Sequence, residues 1–296
     1  MRRPPRFARG GIACNRRRFG PRGNGREIEG LDQTQRGSGA MVQIGLGLLS
    51  GVFVGFSLGI VGGGGSVLAV PLLLYFVGIG STHLAIGTSA VSVAVNAAIS
   101  LASHARTGNV KWRCASVFAI AGVIGAFGGS TLGKITDGQQ LLVLFALAMM
   151  AISVIMLRRR KNAGDPGVRL SRQNLPHLLG IGAGTGFLAG FFGIGGGFLV
   201  VPGLMMATGM PIINAVGSSL VAVTLFGLTT AGNYAVSGLV DWTLSAVFVA
   251  GGLVGGALGT AAAHRLSKQR GALNVVFAAV VFAVAVYVMI RALHLI

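Results

Sequence analysis

Residues 55–75 read GFSLGIVGGGGSVLAVPLLLY, and residues 186–206 read GFLAGFFGIGGGFLVVPGLMM. Laid over each other, Gly55, Gly59, Gly62, Gly64, Gly65 and Pro71 fall on Gly186, Gly190, Gly193, Gly195, Gly196 and Pro202 at a constant offset of 131. After a slip of one residue the match resumes at 130. Gly87-Thr88-Ser89 then meets Gly217-Ser218-Ser219, Gly108 meets Gly238, and Trp112 meets Trp242, the chain's two tryptophans. Chance does not hold register over such a length, so the chain carries one unit twice.

Around these stretches lie ten apolar segments, at about 42–61, 66–79, 84–103, 114–133, 139–157, 177–193, 197–210, 213–234, 243–262 and 272–293. Most approach the roughly 20 residues that cross hydrocarbon as a helix. Segments 66–79 and 197–210 are short, and each follows a glycine run. Backbone polar groups in lipid must be satisfied internally, so these two are expected to be broken or re-entrant helices buried in protein. With 53% hydrophobic and 10% charged residues, the composition cannot furnish the surface of a soluble domain, which carries about 25% charged residues. The fold class expected is all-α integral membrane, with two repeats of about five hydrophobic segments each. The boundaries expected are an Arg-rich leader over 1–40, repeat 1 over 41–157, a basic cytoplasmic linker over 158–176 and repeat 2 over 177–296.

The net charge of +18 suggests nucleic acid until it is mapped. Ten of the 24 basic residues lie in residues 1–40, and the others sit almost wholly in gaps between apolar segments. No basic face is left for a folded nucleic-acid domain, and none is expected as a partner. The leader has no apolar core, so it is not a secretory signal. It reads as a disordered tail or an upstream extension, with a targeting or lipid-binding arm as the alternative.

Loop charges give the repeats a direction. The loop after the third segment carries Arg106, Lys111 and Arg113, whereas its partner, 236–242, has no basic residue and contains Asp241. After the fourth segment the bias swaps: Lys134 stands alone in repeat 1, against His264, Arg265, Lys268 and Arg270 in repeat 2. Under the positive-inside rule, equivalent loops then lie on opposite faces, an inverted-topology arrangement familiar in transporters. The linker RRRKNAGDPGVRLSRQNLP at 158–176 is basic and reads as cytoplasmic. The Arg-rich leader falls on the wrong side in this scheme, so either it is absent from the mature protein or one short segment does not cross.

Candidate chemistry gathers at the two glycine runs, Gly62, Gly63, Gly64, Gly65 with Ser66, and Gly193 followed by Gly195, Gly196 and Gly197. Helix N-termini there would offer free N–H groups and a positive dipole end to an anion. Glycines also allow close helix packing in membranes, which is the competing role. Pro71 and Pro202 follow each run as structural helix-breaks. Thr88, Ser89, Ser218 and Ser219 form a second layer; their hydroxyls suit a solute's oxygens, and suit equally well a neighbouring helix or a preceding carbonyl. Asn96 and Asn233 read as helix-bridging amides, and His83, His104, His177, His264 and His294, at segment ends, as solvated interfacial side chains.

All six acidic residues, Glu27, Glu29, Asp32, Asp137, Asp165 and Asp241, fall in the leader, linker or loops. The sequence thus offers neither an acidic proton relay nor the usual intramembrane cation site. It shows no nucleophile–base pair, metal-ligand spacing or cofactor motif, which argues against an enzyme. Cys14 and Cys114 suggest no disulfide framework. An anion leaving a cell gains about 2.3 kcal/mol per charge per 100 mV, negative inside, so the physics leans towards export.

The paired patterns GFSLGIVGGGGSVLAVP and GFFGIGGGFLVVP, each followed by a short helix and GTS or GSS, resemble the sulfite exporter TauE/SafE family of permeases. The resemblance covers about residues 42–293. It implies a multi-pass permease of the cytoplasmic membrane for sulfite, a sulfonate or a related sulfur-containing anion, with the glycine runs and the Thr88, Ser89, Ser218 and Ser219 layer as its core. The Arg-rich leader departs from the family pattern. The competing readings are a permease for another small organic acid or neutral metabolite, and a non-transporting membrane subunit that recruits a partner.

Overall fold

The computed structural model describes residues 25–158, 174–193, 197–266 and 272–294. It separates into residues 1–41 and residues 42–296. In the first unit residues 25–41 are helical, as part of α1 (Gly25–Val61). The architecture described below belongs to the second.

After α1 the chain forms a 3-10 helix (Gly62–Leu68), the single turn α2 (Ala69–Pro71) and a π turn (Leu72–Phe76). Then come α3 (Thr82–Arg106), α4 (Trp112–Ile135), α5 (Gly138–Arg158), α6 (Leu175–Phe192), α7 (Gly197–Thr208), α8 (Ile212–Val236), α9 (Trp242–Leu266) and α10 (Ala272–His294). There is no strand among the described residues. Among the described residues seven helices are long and apolar enough to cross a membrane, and the apolar helices at Gly65–Phe76, Gly197–Thr208 and Ala278–Leu293 are shorter. The protein is an all-α, multi-pass membrane protein.

Glycines that the sequence pairs between the two halves share a backbone conformation. Among the described residues six glycines have positive φ, and they form three matched pairs: Gly62 and Gly193 (66° and 67°), Gly78 and Gly209 (83° and 73°), Gly108 and Gly238 (70° and 70°). An L side chain rarely adopts this conformation, so each pair marks the same turn made twice. The first pair ends the first helix of each repeat, and the other two begin the turns on either side of the third.

Packing crosses between the halves. A Cβ on Gly51, Gly55 or Gly59 of α1 would strike the backbone of α9 at Phe248, Gly252 or Gly256. At the equivalent places on α6, a Cβ on Gly182, Gly186 or Gly190 would strike α4 at Phe118, Gly122 or Ala126. Each first helix therefore lies on the fourth helix of the other repeat, parallel to it, along a row of small residues four apart. This is how membrane helices approach closely without a hydrophobic driving force.

The third helices, α3 and α8, are the most enclosed of the spans and pack on one another. The start of α3, at Gly87, meets Tyr234 near the end of α8 and Leu239 just past it. The start of α8, at Gly217, meets Asn109, just past the end of α3. The two equivalent helices run antiparallel, and so do α5 and α10, where Gln139 donates to the Ala292 carbonyl at 3.4 Å.

Candidate functional site

The two glycine runs take different local forms. In repeat 1 the run is itself helical, Gly62–Leu68, and passes without a gap into α2 and the π turn. In repeat 2, α6 stops at Phe192, Gly193 caps it with its N–H on the Gly190 carbonyl at 3.0 Å, and α7 restarts at Gly197. Gly195 and Gly196 lie outside the described residues. Neither proline breaks the path as expected of it. Pro71 stands at the change from α to π geometry, and α7 runs through Pro202 to Thr208. A helix tolerates proline's missing donor when neighbours enclose the freed carbonyl, and Pro202 is buried.

Two features bring the runs together. The Gly62–Leu68 segment packs against α7, so the stretch bearing Gly62, Gly63, Gly64, Gly65 and Ser66 adjoins the helix that Gly197 opens. Gly62 and Gly193 also each seat on the third helix of the other repeat. A Cβ on Gly62 would lie 2.7 Å from the Val216 carbonyl oxygen, and a Cβ on Gly193 would overlap Ile86. Val216 and Ile86 immediately precede the Gly-Ser-Ser and Gly-Thr-Ser triplets. Each glycine break thus sits beside the hydroxyl pair of the opposite half, a juxtaposition that linear sequence does not reveal.

The four hydroxyls are fully buried and divide into two jobs. Thr88 Oγ1 accepts the backbone N–H of Asp241 at 3.0 Å, and Ser218 Oγ accepts that of Lys111 at 2.9 Å. These bonds tie the start of α9 to α3 and the start of α4 to α8. Ser89 and Ser219 donate to the carbonyls of Ile86 and Val216, three residues back, at 2.8 and 2.7 Å. Each of these two hydroxyls spends its single hydrogen inside its own helix.

The amides fare differently. Asn233 bridges helices as expected: Nδ2 donates to Ser130 Oγ at 2.6 Å and Thr131 Oγ1 at 3.1 Å, and Oδ1 accepts from Lys134 Nζ at 2.7 Å. Asn96 is 2% exposed, and neither its nitrogen nor its oxygen has a partner. The helix-bridging role expected of it is not made in this structure. Of the histidines, His177 is exposed, but His104 is fully buried, against the expectation of solvation. The turn after α3 folds over the helix end: Asn109 donates to the His104 carbonyl at 3.2 Å, while its own carbonyl accepts from Asn214 Nδ2 at 3.2 Å. The side chains of His264 and His294 lie outside the described residues.

Cavities of about 540, 260 and 300 Å³ lie at the start of α5 (Asp137 to Leu144), between α5 and α10 (Ser153 to Phe282), and at the start of α6 (Pro176 to Ile181). None of these three touches the glycine runs or the hydroxyl layer. Sequence reading passes over the positions on α3 between Ser89 and Asn96 and beyond, where Ser92 and Ser100 are buried too. Their spacing of four residues from Thr88 and Asn96 is the signal that could have found them.

Comparison with known proteins agrees with this architecture. Residues 47–288 match the family model described as "Sulfite exporter TauE/SafE". A "Probable membrane transporter protein" of Xylella fastidiosa (strain Temecula1) is 52% identical over 245 residues, covering 82% of this chain and 93% of the relative. The "Probable membrane transporter protein YunE" of Bacillus subtilis (strain 168) is 26% identical over 247 residues, covering 76% and 88%. A Methanocaldococcus jannaschii protein of similar description, MJ0441, is 31% identical over 183 residues, covering 59% and 67%. No solved structure matches.

Proposed function

Because the chain belongs to the sulfite exporter TauE/SafE family, as a membrane transporter, we propose that it is a secondary permease for a small anion: sulfite, a sulfonate or a related sulfur-containing anion. The observation that supports this reading is the packing of the Gly62–Leu68 segment against α7, the helix that Gly197 opens. Free backbone N–H groups at a helix start attract anions. The acidic residues with described side chains, Asp137 and Asp241, instead cap the starts of α5 and α9, accepting from Gln139 N and Leu244 N at 2.9 Å each.

Two further elements belong to the reading. The repeats are inverted across the bilayer, supported by the antiparallel course of α3 and α8 and by the swap of basic charge between equivalent loops. Movement is outward, supported by the membrane potential, which expels an anion with no coupling group. The chemistry is translocation, with no covalent step.

Purified protein in proteoliposomes, loaded with radiolabelled sulfite or sulfoacetate, tests the proposal. Flux above that of empty vesicles, increased by a potential negative on the loaded side, is the expected result. Flux equal to that of empty vesicles for every sulfur oxyanion tried would sink it.

A further inference from the structure

Helix α3 carries a buried polar stripe that its counterpart lacks. Thr88, Ser92, Asn96, Ser100 and His104 follow one another at intervals of four residues, and each is at most 4% exposed. At 1.5 Å per residue the stripe runs about 24 Å, most of a hydrocarbon core. On α8 the equivalent positions are Ser218, Ala222, Phe226, Thr230 and Tyr234. Two of the five, including the central one, have become apolar.

The start of the stripe has structural work. Ser92 Oγ donates to the carbonyls of Thr88 at 2.9 Å and of Ser245 at 3.3 Å, and Ser245 Oγ returns a bond to the Thr88 carbonyl at 3.2 Å. These bonds stitch α3 to α9. Asn96, at the middle, makes no such bond. Its amide lies where a Cβ of Gly252 would go, and the same glycine faces Gly55 of α1. One turn on, Ser100 Oγ is 3.4 Å from where a Cβ of Gly256 would stand. Three helices meet here, and α9 turns glycine backbone towards the polar side chains of α3.

The other repeat acts as an internal control on what the fold needs at this spot. Phe226, the equivalent of Asn96, packs its ring against Gly122, the equivalent of Gly252. The crossing therefore requires bulk and not an amide. An amide left without partners in an apolar interior costs about 1–3 kcal/mol, and a native structure keeps one for a reason beyond packing. Nor does Asn96 substitute for a helix bridge, since Asn233 shows what that looks like, with both of its amide heavy atoms engaged.

We propose that Asn96 is a substrate contact at mid-depth, donating through its Nδ2–H groups to the oxygens of a small oxyanion, and that the α1–α3–α9 crossing is the polar side of an asymmetric permeation path. This rests on the permease reading above. Neutral donors are well matched to passage, because they replace water around the anion without the tight hold of a lysine or arginine, so the ion leaves again. Only repeat 1 carries the contact; at the equivalent place in repeat 2 the Phe226 ring fills the crossing against Gly122 of α4.

The test compares wild type, Asn96→Ala and Asn96→Ser in proteoliposomes with radiolabelled sulfite, alongside thermal unfolding of each in detergent. Asn96→Ala is expected to raise KM for sulfite about tenfold, as loss of a direct hydrogen bond to a charged group would. Its thermal midpoint should equal or exceed that of wild type, because an unpaired amide has been removed. Asn96→Ser keeps one donor and should fall between. Phe226→Leu, at the equivalent position, should leave KM unchanged. A wild-type KM in both Asn96 variants, or a lowered midpoint with KM intact, overturns the assignment while leaving the permease standing. Wild-type vesicles that carry no sulfite or sulfonate overturn the permease reading, and this assignment with it.

Discussion

Ser218 reaches across the molecule to Lys111, accepting its backbone N–H at 2.9 Å, and Thr88 and Asp241 make the equivalent bond in mirror order at 3.0 Å. Each third helix thus pins the start of the other repeat's fourth helix, and the two bonds are related by exchange of the halves. Lys111 and Asp241 sit at the first turn of helices whose leading N–H groups have no intrahelical partner.

Removing either hydroxyl leaves one of those groups unsatisfied. Ser218→Ala and Thr88→Val should each lower stability by about 1–2 kcal/mol, read as a drop in the thermal midpoint of the detergent-solubilised protein. Thr88→Ser should restore most of the loss. Equal effects at the two sites are expected, since the bonds are equivalent; a loss at one alone would mean that the halves are not held in the same way.

The glycines divide by where a Cβ would point. On α6, Gly186 faces the Gly122 carbonyl, whereas nothing lies within 4 Å of a Cβ on Gly184, two residues away. Gly186→Ala must push two parallel helices apart, and overpacking of this kind costs about 1–3 kcal/mol or more. Gly184→Ala meets no such obstacle and gains up to about 1 kcal/mol in helix propensity. Size-exclusion profiles and thermal midpoints of the two variants should move in opposite directions.

Much of this frame is legible in the sequence, and the reasons differ by feature. The spans are readable because a helix in lipid must be apolar along its length, and the repeat because Gly62 and Gly193 need a conformation that other residues rarely adopt. The site is less so. Sequence pairs Thr88 with Ser89 and Ser218 with Ser219 as a layer, but it cannot show that Thr88 and Ser218 are taken by amides of the opposite half, while Ser89 and Ser219 bond back to their own helix. Nor can it separate Asn96 from Asn233. Both are asparagines in apolar helices, and only the surroundings, hydroxyls and a lysine for one and glycine backbone for the other, make the distinction. The burial of His104 escapes a sequence reading because position near a segment end says nothing of a turn that folds over it.

Lys134 ends α4 with its ammonium held by three neutral acceptors: Asn233 Oδ1 at 2.7 Å, Ser237 Oγ at 3.0 Å and the Asn233 carbonyl at 3.3 Å. Asn233 in turn donates to Ser130 and Thr131, so one amide joins α4 to α8 from both sides. Asn233→Leu should cost about 1.5–3 kcal/mol, the range for hydrogen bonds to charged groups. Ser237→Ala removes a single acceptor and should cost less than half as much. Chemical denaturation of both variants gives the comparison, and a leucine variant as stable as wild type would show that this network contributes nothing to stability.

The sidedness of the repeats is open to direct measurement. Thr107 and Ser237 occupy equivalent positions after α3 and α8, and both are exposed. Inverted repeats put them on opposite faces of the membrane, since equivalent points of antiparallel helices lie at opposite ends. Single cysteines at Thr107→Cys and Ser237→Cys, in a background with Cys14 and Cys114 replaced by alanine, should therefore react with a membrane-impermeant maleimide from opposite sides. The basic loop containing Arg106, Lys111 and Arg113 should be the protected one in intact cells, in keeping with the positive-inside rule, while Ser237→Cys should label without lysis. Labelling of both from the same face would overturn the inverted arrangement.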